Sequence, residues 1–215
     1  MKIDRIVLAS GNAGKLAELN ALLAPLGVAV QAQAALGVTE AEEPHCTFIE
    51  NALVKARRAS RLTGLPAIAD DSGLCVDALG GRPGVLSARW ASAGGNDSID
   101  TDRVERDRAN NARLVQELAG VRDRRAHFYC VLVLLRAADD PQPIVADASW
   151  AGEVIDVGRG AGGFGYDPHL LIPSLGRTAA ELDAATKNRR SHRGRATRAL
   201  SERLREAGAV GGWRR

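Results

Sequence analysis

The sequence lacks long hydrophobic runs and contains only three cysteines among its 215 residues. The longest apolar stretches, such as residues 131–135, are far shorter than the about 20 residues that cross a bilayer, so we expect no membrane-spanning helix. Cys46, Cys75 and Cys130 are far apart, odd in number and without metal-ligand spacing. This pattern excludes a disulfide framework and predicts reduced, buried thiols. Residues 1–4 lead into a strand-like segment rather than a secretory hydrophobic region, so we expect a cytoplasmic protein.

Internal repeats and low-complexity stretches are also missing, and strand and helix patterns alternate instead. Periodicity predicts strands at residues 3–9, 28–33, 67–69, 127–135 and 151–157. It predicts helices at residues 16–26, 48–62, 114–118 and 193–207. Residues 92–107 are polar and predict a loop leading into the third helix. The alternation favours an α/β architecture, and the length permits one sizeable core or two lobes around a cleft.

A glycine-containing loop joins the first predicted strand to the first predicted helix. Small residues here bring backbone N–H groups close to an anion, and the start of a helix favours negative charge. The pattern therefore predicts phosphate binding, although its spacing is not that of a Walker A motif and an ordinary glycine turn remains an alternative. The loop consists of Ser10, Gly11, Asn12, Ala13, Gly14 and Lys15.

Carboxylates cluster in two polar segments. Asp70 and Asp71 follow the strand at 67–69, and Glu42 and Glu43 lie upstream. Mg²⁺ takes oxygen ligands and is usually held by one or two carboxylates together with substrate phosphates, so this sparse set is sufficient for a magnesium site. Turn and cap formation is the alternative interpretation. Because ligands of α/β sheets bind outside the carboxyl ends of strands, we expect the glycine-containing loop and the segment at Asp70 and Asp71 to face one cleft.

A third segment combines glycines with aromatic and charged residues. The sequence Gly-Gly-Phe-Gly-Tyr-Asp-Pro occupies residues 162–168 and is followed by Lys187 and by Ser-His-Arg at 191–193. Glycines on both sides of Phe164 leave its ring available for stacking on a planar base, while the charged residues offer hydrogen-bond partners. A tight turn is the alternative.

Arginines crowd the C-terminal region of a chain whose net charge is +3. They suggest an anionic partner, and a nucleic-acid-binding module is one possibility. A solvated helix face is the other, because Glu202 and Glu206 are interspersed. A nucleic-acid module leaves the acidic segments unexplained, so we expect no nucleic-acid partner.

Six motifs together resemble a known family. They lie at residues 10–15, 48–52, 67–74, 78–84, 164–168 and 191–193. In this order and spacing the chain resembles the inosine/xanthosine triphosphate pyrophosphatases of the Ham1 type, from about residue 6 to about residue 204. Residues 92–107 and the tail after 207 fall outside the resemblance.

The resemblance implies an elongated mixed β-sheet with flanking helices, forming two lobes around a central nucleotide cleft within a single domain, residues 1–215. It implies a Mg²⁺-dependent homodimer that hydrolyses ITP, dITP and XTP to the monophosphate and pyrophosphate, cleansing the nucleotide pool. A pyrophosphatase with another base preference, such as modified pyrimidines, is the alternative. A kinase-like phosphotransferase is disfavoured because no Walker A lysine-serine/threonine pair is present.

The resemblance also assigns residues to roles. It places Ser10, Asn12, Lys15 and Lys55 on the triphosphate, and makes Asp71, beside Ser72, the catalytic carboxylate. It gives the metal to Glu42 and Asp71, with Glu43 and Asp70 as less favoured alternatives. The implied base pocket consists of Phe164, Gly165, Tyr166, Asp167, Lys187, His192 and Arg193.

Base choice leads to one further hypothesis. Hypoxanthine and xanthine carry an oxygen acceptor at C6, where adenine carries an amino donor. Arginine offers only donors, so a base-facing Arg193 predicts that ATP is a poor substrate and that Arg193→Ala narrows the ratio of ITP to ATP activity.

Overall fold

A computed structural model of the chain describes residues 3–92 and 102–209. Within these residues the chain forms seven β-strands and five α-helices. The strands are β1 (Arg5–Leu8), β2 (Ala29–Ala32), β3 (Ala67–Val76), β4 (Arg125–Leu135), β5 (Ile144–Val154), β6 (Leu170–Ile172) and β7 (Arg177–Thr178). The helices are α1 (Ala13–Leu23), α2 (Phe48–Thr63), α3 (Arg103–Glu117), α4 (Ala184–Arg190) and α5 (His192–Glu206).

The strands form one mixed sheet in the order β2-β1-β3-β4-β5-β6-β7. Strand β1 runs parallel to β2 and β3, with Leu8 opposite both Ala32 and Ile68. Strand β6 is antiparallel to both β5 and β7, with Val154 opposite Leu170. The α/β prediction and the mixed sheet implied by the family resemblance are confirmed.

The chain divides into two compact units. Along the sequence, the chain passes from one unit to the other within β3, within β4 and within β5. The described part of unit 1 comprises residues 3–71, 130–148 and 192–209, and that of unit 2 comprises residues 72–92, 102–129 and 149–191. Each unit has its own hydrophobic core.

The core of unit 1 packs helices α1 and α5 with the strands. On α5 the buried residues recur at the spacing of one helix face, so this face turns inward. Each fully buried leucine contributes about 1.5–3 kcal/mol through the apolar surface it removes from water. The core includes Ile6, Leu8, Leu19, Leu23, Val30, Ile68, Leu132, Leu134, Ala196, Leu200 and Leu204.

The core of unit 2 joins α3 to strands from both halves of the chain. Leu114 and Leu118 of the α3 region are completely buried, one helical turn apart. They belong to a cluster with Leu74, Val76, Phe128, Trp150, Val154, Tyr166 and Leu170.

Helix α2 shows why the predicted helix at 48–62 forms. Thr47 caps its start by accepting the backbone N–H of Glu50, and Gly64 ends it in the left-handed conformation at φ 67°. The small residues Ala52 and Ala59 are buried on one face of the helix. This close packing fixes Lys55, which lies on the same buried face.

Several predicted boundaries are wrong. Strand β3 continues to Val76, so Asp70 and Asp71 lie within a strand rather than in a loop after one. Aspartate and glycine have low strand propensity, yet this segment occupies a central position in the sheet. Strand β5 begins at Ile144 instead of residue 151, and β6, β7 and α4 were not predicted.

The expected loop at 92–107 is also partly wrong, because α3 already begins at Arg103. Residues 93–101 of that segment lie outside the described residues.

Two composition-based expectations can be compared with burial. All three cysteines are free, but only Cys130 is buried, whereas Cys75 is half-buried and Cys46 is exposed. The expectation of buried thiols is therefore wrong for Cys46. Across residues 3–92 and 102–209 no helix is long and apolar enough to cross a membrane. Helix α5 exposes Arg195, Arg198, Arg203 and Arg205 together with Glu202 and Glu206, as a solvated face does.

Candidate functional site

The glycine-containing loop connects β1 to the start of α1 in unit 1. Asn12 is the N-cap, and its side-chain oxygen accepts the backbone N–H of Lys15 at 3.2 Å. The Gly11 N–H donates to Glu40 Oε1 at 2.8 Å, so this backbone group already binds an anionic oxygen. Gly11 and Ala13 are exposed, while Ser10 and Gly14 are half-buried. A helix start with accessible N–H groups suits a phosphate.

Asp70 is completely buried and is the centre of an ion-pair cluster in unit 1. Lys15 Nζ of α1 lies 2.6 Å from Asp70 Oδ1, and Arg193 Nε of α5 lies 2.6 Å from Asp70 Oδ2. The same guanidinium reaches Glu18 Oε2 through Nη1 at 2.5 Å. Two cations therefore balance two carboxylates. Through Lys15 and Arg193, Asp70 connects the glycine-containing loop at residues 10–15 to helix α5.

The cluster determines the charge state of its buried members. Burial alone would raise the pKa of Asp70, but Arg193 and Lys15 outweigh burial and hold this pKa well below its usual range. The Cys130 Sγ–H group points at Asp70 Oδ2 at 3.4 Å. Burial, reinforced by Asp70, raises the pKa of the Cys130 thiol well above its usual value. The thiol is therefore protonated and unreactive at neutral pH.

Asp71 has a different environment in the same unit. Its Oδ1 accepts from Lys55 Nζ at 2.8 Å, and Lys55 also donates to Glu43 Oε1 at 2.7 Å and to the Asp70 carbonyl oxygen at 3.2 Å. An ammonium group has three donors, so these three acceptors satisfy Lys55. Lys55 thus joins Asp71 and Glu43 through one shared ammonium group.

The pKa of Asp71 shifts in the direction opposite to that of Asp70. Burial raises the pKa of Asp71 and the nearby Glu43 raises it further, while Lys55 opposes both. For Lys55, burial would lower the pKa, but Asp71 and Glu43 outweigh burial and raise it. Asp71 is therefore a stronger proton acceptor than an ordinary aspartate, beside a lysine that stays charged.

The donor set around Asp71 fits a hard divalent cation. Asp71 Oδ2 is buried and, among the described residues, accepts no hydrogen bond. A buried oxygen of this kind is costly unless it gains a partner. The described residues contain no cluster of three or more His, Cys, Asp or Glu that would enclose a metal. Mg²⁺ does not require such a cluster, because substrate phosphates and water complete its shell.

The loop at residues 162–168, here called the Phe164 loop, lies in unit 2. Asp167 Oδ2 accepts from the Phe164 backbone N–H and from Lys187 Nζ, each at 2.7 Å. Lys187 Nζ also lies 4.8 Å from the centre of the Phe164 ring. Gly163 has φ 76°, and a Cβ there would lie 2.0 Å from Asp167 Oδ2. Only glycine permits this turn, which keeps Phe164 half-buried beside a buried ion pair.

Tyr166 supports this loop from the core of unit 2. It is only 4% exposed, and its hydroxyl donates to the Ser87 carbonyl oxygen at 2.9 Å. Burial raises the pKa of Tyr166 far above its usual value. The phenol therefore remains a neutral donor, and its ring packs in the core.

Comparison with known proteins gives a consistent result. A model of the Ham1 family matches residues 6–203. The chain belongs to the Ham1 family. It is 67% identical over 201 residues to a dITP/XTP pyrophosphatase of Ralstonia nicotianae, covering 94% of this chain and 96% of the relative. It is 60% identical over 203 residues to a dITP/XTP pyrophosphatase of Burkholderia pseudomallei, covering 94% of each.

A solved Ham1 structure also superimposes well. The HAM1 protein of Coxiella burnetii has a TM-score of 0.82 and 43% identity, covering 96% of this chain and 100% of that protein. The expected family and its mixed α/β fold are therefore confirmed.

The Ham1 resemblance assigned residues that the structure distributes over both units. Unit 1 contains Ser10, Gly11, Asn12, Ala13, Gly14, Lys15, Glu42, Glu43, Lys55, Asp70, Asp71, His192 and Arg193. Unit 2 contains Ser72, Phe164, Gly165, Tyr166, Asp167 and Lys187. Within unit 1, direct contacts join Lys15 and Arg193 to Asp70, and Lys55 to Glu43 and Asp71. Within unit 2, Lys187 contacts Asp167 and Phe164. The assigned roles stay predictions.

Three of these Ham1 assignments have contacts that sequence did not anticipate. All three Arg193 guanidinium nitrogens bind carboxylates, which supports a structural role, and base reading by Arg193 stays a prediction. Glu43 shares Lys55 with Asp71, whereas Glu42 is exposed. Asp70 is engaged by Lys15 and Arg193, which disfavours it as a metal ligand.

Sequence reasoning missed Glu18, Asp107 and Asn111. Glu18 binds a residue 175 positions away, and the α3 residues Asp107 and Asn111 bind Gly165, 58 and 54 positions away. Contacts at such separations leave no local spacing signal. The only available hint was that Asp107 and Asn111 are four residues apart and share a helix face.

Proposed function

We propose that this Ham1 protein hydrolyses non-canonical purine nucleoside triphosphates, dITP and XTP among them, to the monophosphate and pyrophosphate. The observation that carries the proposal is Asp71, a buried carboxylate of raised pKa with one oxygen uncommitted among the described residues, held by Lys55. The relatives named as dITP/XTP pyrophosphatases supply the substrate class.

The residues around Asp71 suit attack of water on a phosphorus atom. The barrier of such a reaction is mainly one of alignment and of charge that accumulates on phosphate oxygens. The loop at residues 10–15 would bind the phosphate chain at the start of α1, with the backbone N–H groups of Ala13 and Gly14 as donors. Asp71 would orient the attacking water through its uncommitted oxygen, and it would either accept the proton of this water or hold the cation that activates it. Lys15 and Lys55 would supply positive charge near the departing pyrophosphate.

The proposed metal is Mg²⁺, with Asp71 and Glu43 as its protein ligands. Glu43 is preferred over Glu42 because it shares the Lys55 ammonium with Asp71. When bound, the cation would neutralise phosphate charge and lower the pKa of a coordinated water. Lys55 would keep both carboxylates in place before the metal and substrate bind.

The proposed base site is the Phe164 loop. Stacking on Phe164 accommodates any base, because every base has a π-face. Discrimination would instead come from hydrogen bonding, with Lys187 and Asp167 forming a buried pair at 2.7 Å beside the ring. A pyrophosphatase with another base preference would share the chemistry at Asp71 and differ here.

Product analysis tests the proposal. The protein is incubated with Mg²⁺ and with ITP, dITP, XTP, ATP or GTP in turn, and products are separated by ion-exchange chromatography. We expect monophosphate and pyrophosphate from the first three and little turnover of the last two. Diphosphate and orthophosphate as products would contradict the proposed reaction, and equal turnover of all five would contradict the proposed base preference.

A homodimer and a cytoplasmic location stay predictions from the family resemblance and the sequence. Light scattering after size-exclusion chromatography tests the dimer. A mass of one 22.7 kDa chain in solution would contradict it.

A further inference from the structure

Helix α3 contacts the Phe164 loop from its first three turns. Asp107 Oδ2 accepts the Gly165 backbone N–H at 2.8 Å, and Asn111 Nδ2 donates to the Gly165 carbonyl oxygen at 2.9 Å. Both polar backbone groups of Gly165 are therefore bound by side chains one helical turn apart on the same face of α3.

The orientation of the Asn111 amide is fixed by its contacts. Its Nδ2 also donates to the Asp107 carbonyl oxygen at 2.8 Å. Both partners are carbonyl oxygens, so the NH₂ group must face them and cannot be exchanged with the amide oxygen. Asn111 is 9% exposed, which shields this contact from competing water.

A third contact of α3 reaches the aromatic ring itself. Arg103, one turn before Asp107, places its guanidinium carbon 4.7 Å from the centre of the Phe164 ring. Residues 103, 107 and 111 thus form one stripe along the loop. Gly165 has φ 62°, a left-handed conformation that the bonds to Asp107 and Asn111 hold in place.

We propose that Asp107 and Asn111 are positioning residues for base recognition, which act by fixing Gly165 and thereby Phe164 and Asp167. The inference rests on the proposed function, because it presumes that the Phe164 loop receives the base. Their contacts with the Phe164 loop are with its backbone. Their loss is therefore expected to weaken the binding of the base more than the chemical step.

Two isosteric substitutions test these contacts: one removes a hydrogen bond to Gly165, and the other retains one. Asn111→Asp replaces the NH₂ group with an oxygen that faces two carbonyl oxygens, so the bond to Gly165 is replaced by repulsion. We expect KM for ITP to rise at least about tenfold with a smaller change in kcat, since an unpaired buried group is costly. Asp107→Asn retains an oxygen acceptor for the Gly165 N–H, and we expect KM within about threefold of wild type.

Asn110 provides a matched control. It neighbours Asn111 on α3, is 3% exposed, and donates from Nδ2 to the Ala88 carbonyl oxygen at 3.2 Å. Asn110→Asp therefore makes the same chemical change at a similarly buried position whose contact is outside the Phe164 loop. We expect it to lower the melting temperature about as much as Asn111→Asp while leaving KM for ITP nearly unchanged.

Binding of inosine monophosphate, measured by titration calorimetry, gives a readout without turnover. Its affinity should fall in Asn111→Asp by a factor similar to the rise in KM, and should not fall in Asn110→Asp. If Asn111→Asp does not fold, Asn111→Ala takes its place and should still weaken binding.

Equal effects of Asn111→Asp and Asn110→Asp on KM and on monophosphate affinity would overturn the inference, because a general loss of stability would then explain both. Wild-type protein that fails to hydrolyse ITP would instead overturn the proposed function. Active wild type with unchanged monophosphate affinity in Asn111→Asp would overturn the inference alone.

Discussion

Replacing Arg193 by methionine should strongly destabilise the protein. Arg193 is 2% exposed and its nitrogens contact Asp70 and Glu18 at 2.6 and 2.5 Å. Methionine retains much of the buried volume but leaves both carboxylates without this partner. Removing one member of a buried ion pair typically costs about 3–5 kcal/mol. Lys15 still neutralises Asp70 in the variant, so we expect a loss of about 3 kcal/mol, near the lower limit.

The loss is measured by urea unfolding at neutral pH, followed by far-ultraviolet circular dichroism. Arg195→Met is the matched control, because Arg195 lies on the exposed face of the same helix, and surface changes usually stay within about 0.5 kcal/mol. Adding Glu18→Gln to Arg193→Met should recover part of the loss, since it removes the carboxylate charge that Arg193 balanced in the wild type, while Lys15 still pairs with Asp70.

The reasoning would be refuted if Arg193→Met cost less than about 1 kcal/mol, the same as Arg195→Met within error. The ratio of ITP to ATP turnover adds a second measurement. A residue that acts only in the ion pair lowers both rates by the same factor. A narrowed ratio at near-wild-type stability would support the hypothesis that Arg193 reads the base.

Three further predictions concern the carboxylates. Asp71→Asn should lower kcat by about 10²–10⁴-fold because it removes the carboxylate charge that serves the attacking water or the cation, and more than half the wild-type rate in a steady-state assay would reject this role. Glu43→Gln should raise the Mg²⁺ concentration for half-maximal activity while the control Glu42→Gln should not, as a Mg²⁺ titration of each variant would reveal; the reverse order would favour Glu42. The Arg136 hydrogen bonds lower the pKa of Asp140, so the stability that this ion pair contributes is present above about pH 3.9 and is lost as the pH falls. Asp140→Asn should therefore lower the free energy of unfolding in urea by about 1 kcal/mol at pH 7 and by less at pH 3. An equal loss at both pH values would contradict the pairing.

The sequence predicted the helices and strands that are long enough to show a periodic pattern of hydrophobic residues. The helix at 48–62 was placed within one residue of α2 because an N-cap, a buried stripe and a terminal glycine all agree. Strand β3 was cut short because Asp70, Asp71 and Gly73 have low strand propensity, which the central position in the sheet overrides. Strands β6 and β7 have only 3 and 2 residues, too few for periodicity to register.

For the candidate site, the sequence identified the segments that carry the functional residues but not the partners of these residues. Residue types and order identified the loop at 10–15, Asp71 and the Phe164 loop, because glycines and carboxylates at these positions have direct chemical meaning. The partners of these residues were not predictable, since Arg193 and Asp70 are separated by 123 positions. Only the fold brings them together.

The adjacent residues Asp70 and Asp71 show how strand geometry separates two roles. Successive side chains of a strand point to opposite faces of the sheet, and both residues lie within β3. Asp70 therefore meets Arg193 and Lys15, which lower its pKa, while Asp71 meets Lys55 and Glu43 in an environment that raises its pKa. Sequence alone could assign no protonation state to the pair. Because the strand continues through both residues, one carboxylate stabilises the fold as a permanent anion, and its neighbour remains available to accept a proton or a cation.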